Sequence, residues 1–183
     1  MSKIQEAIQN MSVEEMKQRL AAYMLNDKQW APKPIAIEVR HRDVEDIVGT
    51  NIYDVIVLKD DGSEEPIKFE DRYSKLIYIY TLMHPQGFQR YTLNKPKRNY
   101  PELTNLYFMI YKTNATRLID YLTRAERNFD QMMSQSVNFI HRAFRGKLGC
   151  EELSIGNTRH YNGRTVIPAV YNGLKVIFAP ELQ

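Results

Sequence analysis

The spacing of apolar residues changes twice along this chain of 183 residues, and these changes limit the folds that it can adopt. Apolar and polar residues alternate in "IAIEV" and in "NIYDVIVLKDDGSEEPIKF", where Asp61 and Gly62 predict a turn between two strands. In four segments between Asp71 and Leu148 the apolar residues instead recur every three or four positions, which is typical of helices. Alternation then returns in "TVIPAVYNGLKVIF". Strands on both sides of a helical region predict an α+β fold.

The segment 130–148 is predicted to be a helix with two different faces. At 100° per residue, one arc is apolar and consists of Met133, Val137, Ile140, Phe144 and Leu148. The opposite arc consists of Gln131, Gln135, Asn138, Arg142 and Arg145. This polar arc holds no Asp or Glu, whereas a solvated helix face usually mixes both charge signs. We therefore predict that the apolar arc is buried and that the polar arc is exposed, either to a partner or as an ordinary solvated face.

Three further helices are predicted in the middle of the chain. "DRYSKLIYIYTLMHPQG" is expected to form a central core helix that stops at the His-Pro pair and Gly87. Pro101 marks the start of a second helix. Asn114 is expected to cap a shorter helix over "ATRLIDYLTR".

Residues 1–34 are predicted to form a helical extension and linker, and residues 35–183 the main domain. Ser12 and Glu15 have the S-x-x-E spacing of a capping box, which predicts a helix from about residue 12 to about residue 26. Its apolar stripe is too narrow to be stable alone in water, so we expect it to pack against the body or a second copy. The stripe consists of Met16, Leu20, Tyr23 and Met24. Two prolines in "KQWAPKP" predict the linker.

The C-terminal region carries a hairpin signal. Asn172 and Gly173 separate two apolar stretches, and Asn-Gly in that position is the strongest short-range indication of a hairpin turn. Asn162 and Gly163 mark another turn just before it. We therefore expect the chain to end in a β-hairpin.

Charge is distributed unevenly along the chain, although the net charge is only +3. Residues 1–83 hold 11 Lys and Arg against 15 Asp and Glu, whereas residues 84–148 hold 11 against 4. The basic central segment is a modest electrostatic footprint for a polyanion. No apolar run approaches the roughly 20 residues that span a bilayer, and "MSKIQEAIQN" lacks a signal-peptide core, so we predict a cytoplasmic protein without membrane contact.

The predicted order of sheet, core helix, second helix, basic amphipathic helix and hairpin is that of a winged helix-turn-helix. "FEDRYSKLIYIYTLMHPQG" resembles the strand, first helix and "HPG" stop of the effector domain of OmpR/PhoB-type response regulators, and "SVNFIHRAFRGKLG" resembles its recognition helix. The resemblance covers roughly residues 50–180. It implies N-terminal antiparallel β-strands, a C-terminal β-hairpin wing and DNA binding. An extra helix near 114–124, a longer wing and the lack of a preceding receiver domain depart from the family, so phosphorelay control is not implied.

On these grounds we predict a DNA-binding transcriptional regulator that reads double-stranded DNA with helix 130–148. In the major groove Arg matches guanine O6 and N7, and Asn or Gln matches adenine N6 and N7. The side chains expected to contact bases or phosphates are Gln135, Asn138, His141, Arg142 and Arg145. The loop side chains expected to contact backbone phosphates are Lys95, Lys97, Arg98, Arg159 and Arg164.

The sequence carries no motif for catalysis or for metal binding, so we predict no enzyme, no metal and no cofactor. None of the four histidines has H-E-x-x-H spacing, and the single cysteine, Cys150, is expected to be a small apolar filler after a helix. His141/Arg145 and His160/Arg164 invite comparison with DNA-strand-transfer enzymes. Their H-x-x-x-R spacing is one residue longer than the H-x-x-R of tyrosine recombinases.

The alternative function is a non-catalytic assembly module. In it the same fold is held by its N-terminal helix in a homodimer or a larger complex and binds no DNA. The acidic first 83 residues favour this alternative. Acidic side chains from that segment lying over the polar arc of helix 130–148 would favour assembly over DNA binding.

Overall fold

The computed structural model describes residues 12–15, 17, 32–42, 51–89, 100–113, 116, 118, 120, 126–147, 149–156 and 158–183. The chain divides into two compact units, Met1–Pro32 and Lys33–Gln183. In the described residues of the first unit, the predicted capping box is confirmed. The Ser12 hydroxyl accepts a bond of 3.2 Å from the Glu15 N–H, and the Glu15 carboxylate accepts one of 3.0 Å from the Ser12 N–H. The apolar stripe predicted for this helix lies outside the described residues.

The second unit begins with the predicted antiparallel strands. They are β1 (Pro34–His41), β2 (Tyr53–Lys59) and β3 (Glu64–Ile67), and both pairings are antiparallel. The turn between β2 and β3 is closed by a bond of 3.1 Å from the Gly62 N–H to the Lys59 carbonyl. Alternate side chains of β1 and β2, such as Ile37 and Val57, are fully buried. Period-two burial therefore places one face of the sheet on the core.

The helical region has the predicted order. Its helices are α1 (Arg72–Met83), α2 (Tyr100–Tyr111) and α3 (Glu126–Phe144), with helical residues at 116, 118 and 120 between α2 and α3. A short strand, β4 (Phe88–Gln89), follows α1. The helix α1 is the predicted core helix, and every residue from Ser74 to Leu82 is buried. The helix is enclosed because both α2 and α3 pack against it and its residues share one core with the inner sheet face.

We expect Asp71→Ala to lower the free energy of unfolding by about 1 kcal/mol, because Asp71 is the N-cap of the core helix α1. Its carboxylate accepts a bond of 2.7 Å from the Ser74 N–H. Urea denaturation measures the change. Asp71→Ser keeps a capping oxygen and should retain most of the stability. A serine variant as unstable as the alanine variant would contradict a capping role.

The predicted C-terminal hairpin is wrong. Pro168–Tyr171 forms a helical turn, α4, and Asn172 caps its end while Gly173 adopts a φ of 97°. Proline is suited to a first helical turn because its φ is already fixed and it has no N–H to satisfy, and Asn-Gly also terminates helices. The last strand, β6 (Lys175–Phe178), instead pairs in parallel with β1 and completes the sheet order β3-β2-β1-β6.

The strand before α4 also has a different partner from the one predicted. β5 (Arg164–Thr165) pairs antiparallel with β4, and the two form a separate ribbon of two residues per strand. The structure therefore has a mixed α+β fold, as predicted, without the C-terminal hairpin wing. Within the described residues, no helix has both the length and the apolar composition that crossing a bilayer requires.

Candidate nucleic-acid interface

One side of α3 is anchored in the core. Met133, Ile140 and Phe144 on this side are buried, as predicted, whereas Val137, which was also predicted to be buried, is half-buried. The Phe144 ring lies 5.2 Å from the Tyr78 ring of α1, centroid to centroid. The Tyr78 hydroxyl in turn donates a bond of 2.9 Å to the Leu153 carbonyl. These contacts of Tyr78, with Phe144 and with the Leu153 carbonyl, hold α3 against α1. The opposite side of α3 therefore points in a fixed direction.

The helix ends earlier than its apolar spacing predicted. The last helical residue is Phe144 rather than a residue near 148, and Leu148 lies outside the described residues. Gly146 adopts a φ of 73°, the left-handed conformation that glycine accepts easily and that commonly follows a helix end. Arg145 therefore lies at the junction between the helix and the following turn.

The other side of α3 is exposed to solvent along its described length. We call it the polar face, and it consists of Gln131, Ser134, Gln135, Asn138, His141, Arg142 and Arg145. From Gln131 to Arg145 it extends about 21 Å at 1.5 Å per residue. Its first half carries neutral amides and a hydroxyl, and its second half carries the imidazole and two guanidinium groups. Asn138, Arg142 and Arg145 are exposed as predicted.

Contacts with neighbouring elements orient the cationic half of the polar face. His141 Nδ1 is 2.8 Å from the Ser154 hydroxyl. The Arg142 guanidinium lies 5.4 Å above the centre of the Phe139 ring and donates a bond of 3.4 Å to the Glu70 carboxylate. Cations in the last turn of a helix also interact favourably with its dipole.

Acidic side chains from the first segment reach this end of α3. Glu65 of β3 is bonded to Lys147 and, at 3.1 Å, to Lys59. The bond from Lys147 is the main cause that lowers the pKa of the Glu65 carboxyl, although its burial acts in the opposite direction. Together with the Glu70 pair to Arg142, this contact places two carboxylates beside the cationic half of the polar face.

These carboxylates border a groove of about 490 Å³ next to the polar face. The groove is lined in part by Glu65, Glu70, Arg142, Arg145 and Lys147. A smaller cleft of about 390 Å³ lies on the other side of Arg145, against His141 and Ser154. Arg145 borders both spaces, and no ion pair to it is found in the described part of the chain. Of the two guanidinium groups on the polar face, Arg145 is therefore the more available to a ligand, since Arg142 pairs with Glu70.

The predicted loop residues are only partly described. Arg164 is exposed, but its guanidinium donates bonds of 3.0 Å and 3.4 Å to the carbonyls of Gln86 and Gly87. These two hydrogen bonds connect β5 to the segment after α1. Arg159 is exposed in the 3₁₀ turn Thr158–Tyr161. Lys95, Lys97 and Arg98 lie outside the described residues, so their predicted phosphate contacts stay predictions.

Sequence reasoning missed the groups that surround the polar face. Glu65 and Glu70 are distant in sequence from α3, and Ser154 follows it after a turn. None of the three belongs to a pattern that links it to Lys147, Arg142 or His141. The available signal was the group of acidic residues before α1. The chain between them and the basic helix α3 is long enough for the two segments to meet in space. Pairing of the individual residues depends on the tertiary fold.

Neither a metal site in the described residues nor a similar known protein points to a function. Among the residues that the structure describes, no group of three or more His, Cys, Asp or Glu is placed to hold a metal ion. Cys150 is fully buried, and burial raises the pKa of its thiol. Comparison of the chain with protein-family models, with curated proteins and with solved structures gives no match.

Proposed function

We propose that the protein binds double-stranded DNA by placing the polar face of α3 in the major groove, and that it regulates transcription in this way. A single observation carries the proposal. A helix of 19 residues is anchored by one buried side and exposes an opposite side composed of Gln, Asn, Ser, His and Arg. The major groove is about 12 Å wide and admits one such helix.

The donors and acceptors of the polar face match the edges of base pairs. Gln135 and Asn138 carry amides, which pair with adenine N6 and N7. Arg145 carries a guanidinium fork without an ion pair in the described part of the chain, which suits guanine O6 and N7. His141 and Arg142 are held by Ser154 and Glu70, so we assign them to the phosphate edge of the groove.

The winged-helix interpretation belongs to the same proposal. It is supported by the order of the antiparallel strands, α1, α2 and α3, and by the exposed polar face on the third helix. The predicted C-terminal hairpin wing is absent, because residues 168–171 are helical and β6 pairs with β1 in the main sheet. In the proposal, the ribbon of β4 and β5 takes the place of a wing, with Arg164 in β5 and Arg159 in the 3₁₀ turn before it.

Selection from random duplexes followed by binding measurements tests the proposal. The full chain is incubated with a library of randomised duplex DNA, and bound sequences are enriched over several rounds. We expect an enriched motif and an affinity that falls as salt rises, because phosphate contacts release counterions. Selection without enrichment, together with no salt-dependent affinity for any duplex, would exclude the proposal.

We expect Glu70→Gln to strengthen DNA binding by about two- to fivefold, because the change removes a negative charge near the phosphates and releases Arg142. Exposed ion pairs of this kind contribute only up to about 1 kcal/mol, so the fold should be preserved. Fluorescence anisotropy with the selected duplex measures the change. Glu181→Gln, at an exposed position near the C-terminus, serves as the control. Weaker binding by the Glu70 variant would contradict a DNA-binding role for this surface.

The second candidate function is the assembly module. The ion pairs of Glu70 with Arg142 and of Glu65 with Lys147 favour it, because they neutralise part of the positive charge beside the polar face. A protein partner would then contact the amide half of that face. Sedimentation equilibrium of the full chain, with and without the selected duplex, separates the two candidates. A self-associated protein that retains no duplex supports assembly.

A further inference from the structure

A second cleft lies at the N-terminal end of α1. Its volume is about 530 Å³, which is within the range of about 300 to 1,000 Å³ typical of small-molecule sites. Its lining includes Lys75 of α1, Tyr111 of α2, Asp54 of β2 and Arg42 after β1. The cleft is thus formed where the core helix meets the sheet and the second helix. None of the predicted DNA contacts lines it.

The buried part of this cleft contains an ammonium group. Lys75 is 6 % exposed, and its Nζ donates a bond to the Tyr53 carbonyl. The nearest carboxylate, that of Asp54, is 3.9 Å away and already pairs with Arg42 at 3.0 Å. An ammonium has three donors, and a buried charge is costly unless it is paired and hydrogen-bonded. Burial is the main cause that lowers the pKa of Lys75 to about 8.

Two further cations line the cleft without an ion-pair partner in the described part of the chain. Lys68 follows β3, and Arg72 is the first residue of α1; both are exposed. The Arg72 guanidinium lies 5.6 Å from the centre of the Tyr111 ring, and the Tyr111 hydroxyl donates a bond of 3.0 Å to the Arg72 carbonyl. The stacking contact restricts where the guanidinium points. The positive end of the α1 dipole lies at the same edge.

Each carboxylate around the cleft already has a partner within the protein. Asp54 pairs with Arg42 at 3.0 Å and with Lys75 at 3.9 Å, Glu70 pairs with Arg142, and Asp71 caps the Ser74 N–H. No ion pair joins Lys68 or Arg72 to them in the described part of the chain, and the three donors of Lys75 meet only the Tyr53 carbonyl and the longer contact with Asp54. Groups of this kind favour an oxyanion, since charge-assisted bonds from Lys and Arg to carboxylate or phosphate are the strongest hydrogen bonds in proteins.

We propose that this cleft binds a small-molecule oxyanion, a metabolite that carries a phosphate or a carboxylate group. Lys75 contacts the oxyanion at the buried end of the cleft, and Arg72 and Lys68 contact it at the exposed end. The proposed oxyanion site does not depend on DNA binding. Glu70 and Lys68 also line the groove beside α3, so the two sites share a border.

Titration of the full-length protein with two probe anions tests the proposal. Sulfate stands in for a phosphate group and acetate for a carboxylate, each added at constant ionic strength with chloride as the reference. Chemical shifts of backbone amides in ¹H–¹⁵N spectra report binding. We expect saturable shifts at residues lining the cleft with at least one probe. Binding of sulfate alone assigns the phosphate class, and binding of acetate alone assigns the carboxylate class.

Substitutions at the exposed end separate a built site from general charge attraction. We expect Arg72→Gln and Lys68→Gln each to weaken binding of the effective probe by about five- to twentyfold, because each removes a charged hydrogen-bond donor. Lys175→Gln, on the exposed edge of β6, should leave binding unchanged. Equal weakening by all three variants, or saturable shifts with neither probe, would overturn the proposal.

The pH dependence tests the contact with Lys75 without altering the fold. Sulfate keeps its charge between pH 6.5 and 9.5, whereas Lys75 loses its proton as pH rises through about 8. The neutral amine no longer attracts the anion, so sulfate affinity should fall several-fold across this range. The other charged groups that line the cleft are Arg42, Lys68, Arg72, Asp54, Glu70 and Asp71. The decline should disappear in Lys75→Met. The same decline in that variant would show that Lys75 does not contact the anion.

Discussion

We expect Arg145→Ala to weaken binding to the selected duplex by about 1 to 3 kcal/mol, the contribution of one bidentate contact between Arg and guanine. Arg145 is chosen because it is exposed at the end of α3 and has no ion pair in the described residues, whereas Arg142 is paired with Glu70. Fluorescence anisotropy with the selected duplex, and with duplexes altered at single base pairs, measures the loss of affinity and of sequence preference.

Two matched variants separate base reading from phosphate contact. Arg145→Lys keeps the charge but loses the planar fork, so it should retain the salt dependence while losing preference at one base pair. Lys97→Ala should instead weaken all sequences alike and flatten the slope of log affinity against log salt by roughly 0.9. An Arg145→Lys variant with unchanged sequence preference would show that Arg145 contacts only the phosphate backbone.

We expect Phe144→Ala to lower the free energy of unfolding by about 3 to 5 kcal/mol, the range found for removing a buried aromatic ring. Phe144 is 1 % exposed, and its ring lies 5.2 Å from that of Tyr78. The change leaves a cavity between α3 and α1 that these helices cannot close without moving. Because it loosens the anchored side of α3, it should also weaken DNA binding. Urea denaturation followed by circular dichroism measures the stability.

Phe108→Ala is the matched control for that experiment. Phe108 belongs to α2 and is 53 % exposed, so its removal takes little apolar surface out of the core. We expect a change of less than about 1 kcal/mol, as for surface substitutions in general. Similar losses for both phenylalanines would mean that α3 is not anchored through Phe144. A stable Phe144→Ala protein would have the same meaning.

The sequence by itself determined the elements whose signals are local. Strand alternation located β1 and β2, and Asp71 and the His-Pro-x-Gly stop marked the two ends of α1. The two faces of α3 also followed from the sequence, because a period of 3.6 residues depends only on the order of side chains along one helix. The exposure of Asn138, Arg142 and Arg145 was predictable for the same reason.

The tertiary structure decided the pairing of elements that are distant in sequence. Asn172-Gly173 is compatible with a hairpin turn and with a helix end. It forms a helix end here because residues 175–178 pair with the edge of β1 instead of with the preceding segment. The pairs Glu70–Arg142 and His141–Ser154, and the cleft around Lys75, likewise join separate segments. Such contacts depend on how strands and helices pack in space. Local residue patterns do not specify which individual residues will meet.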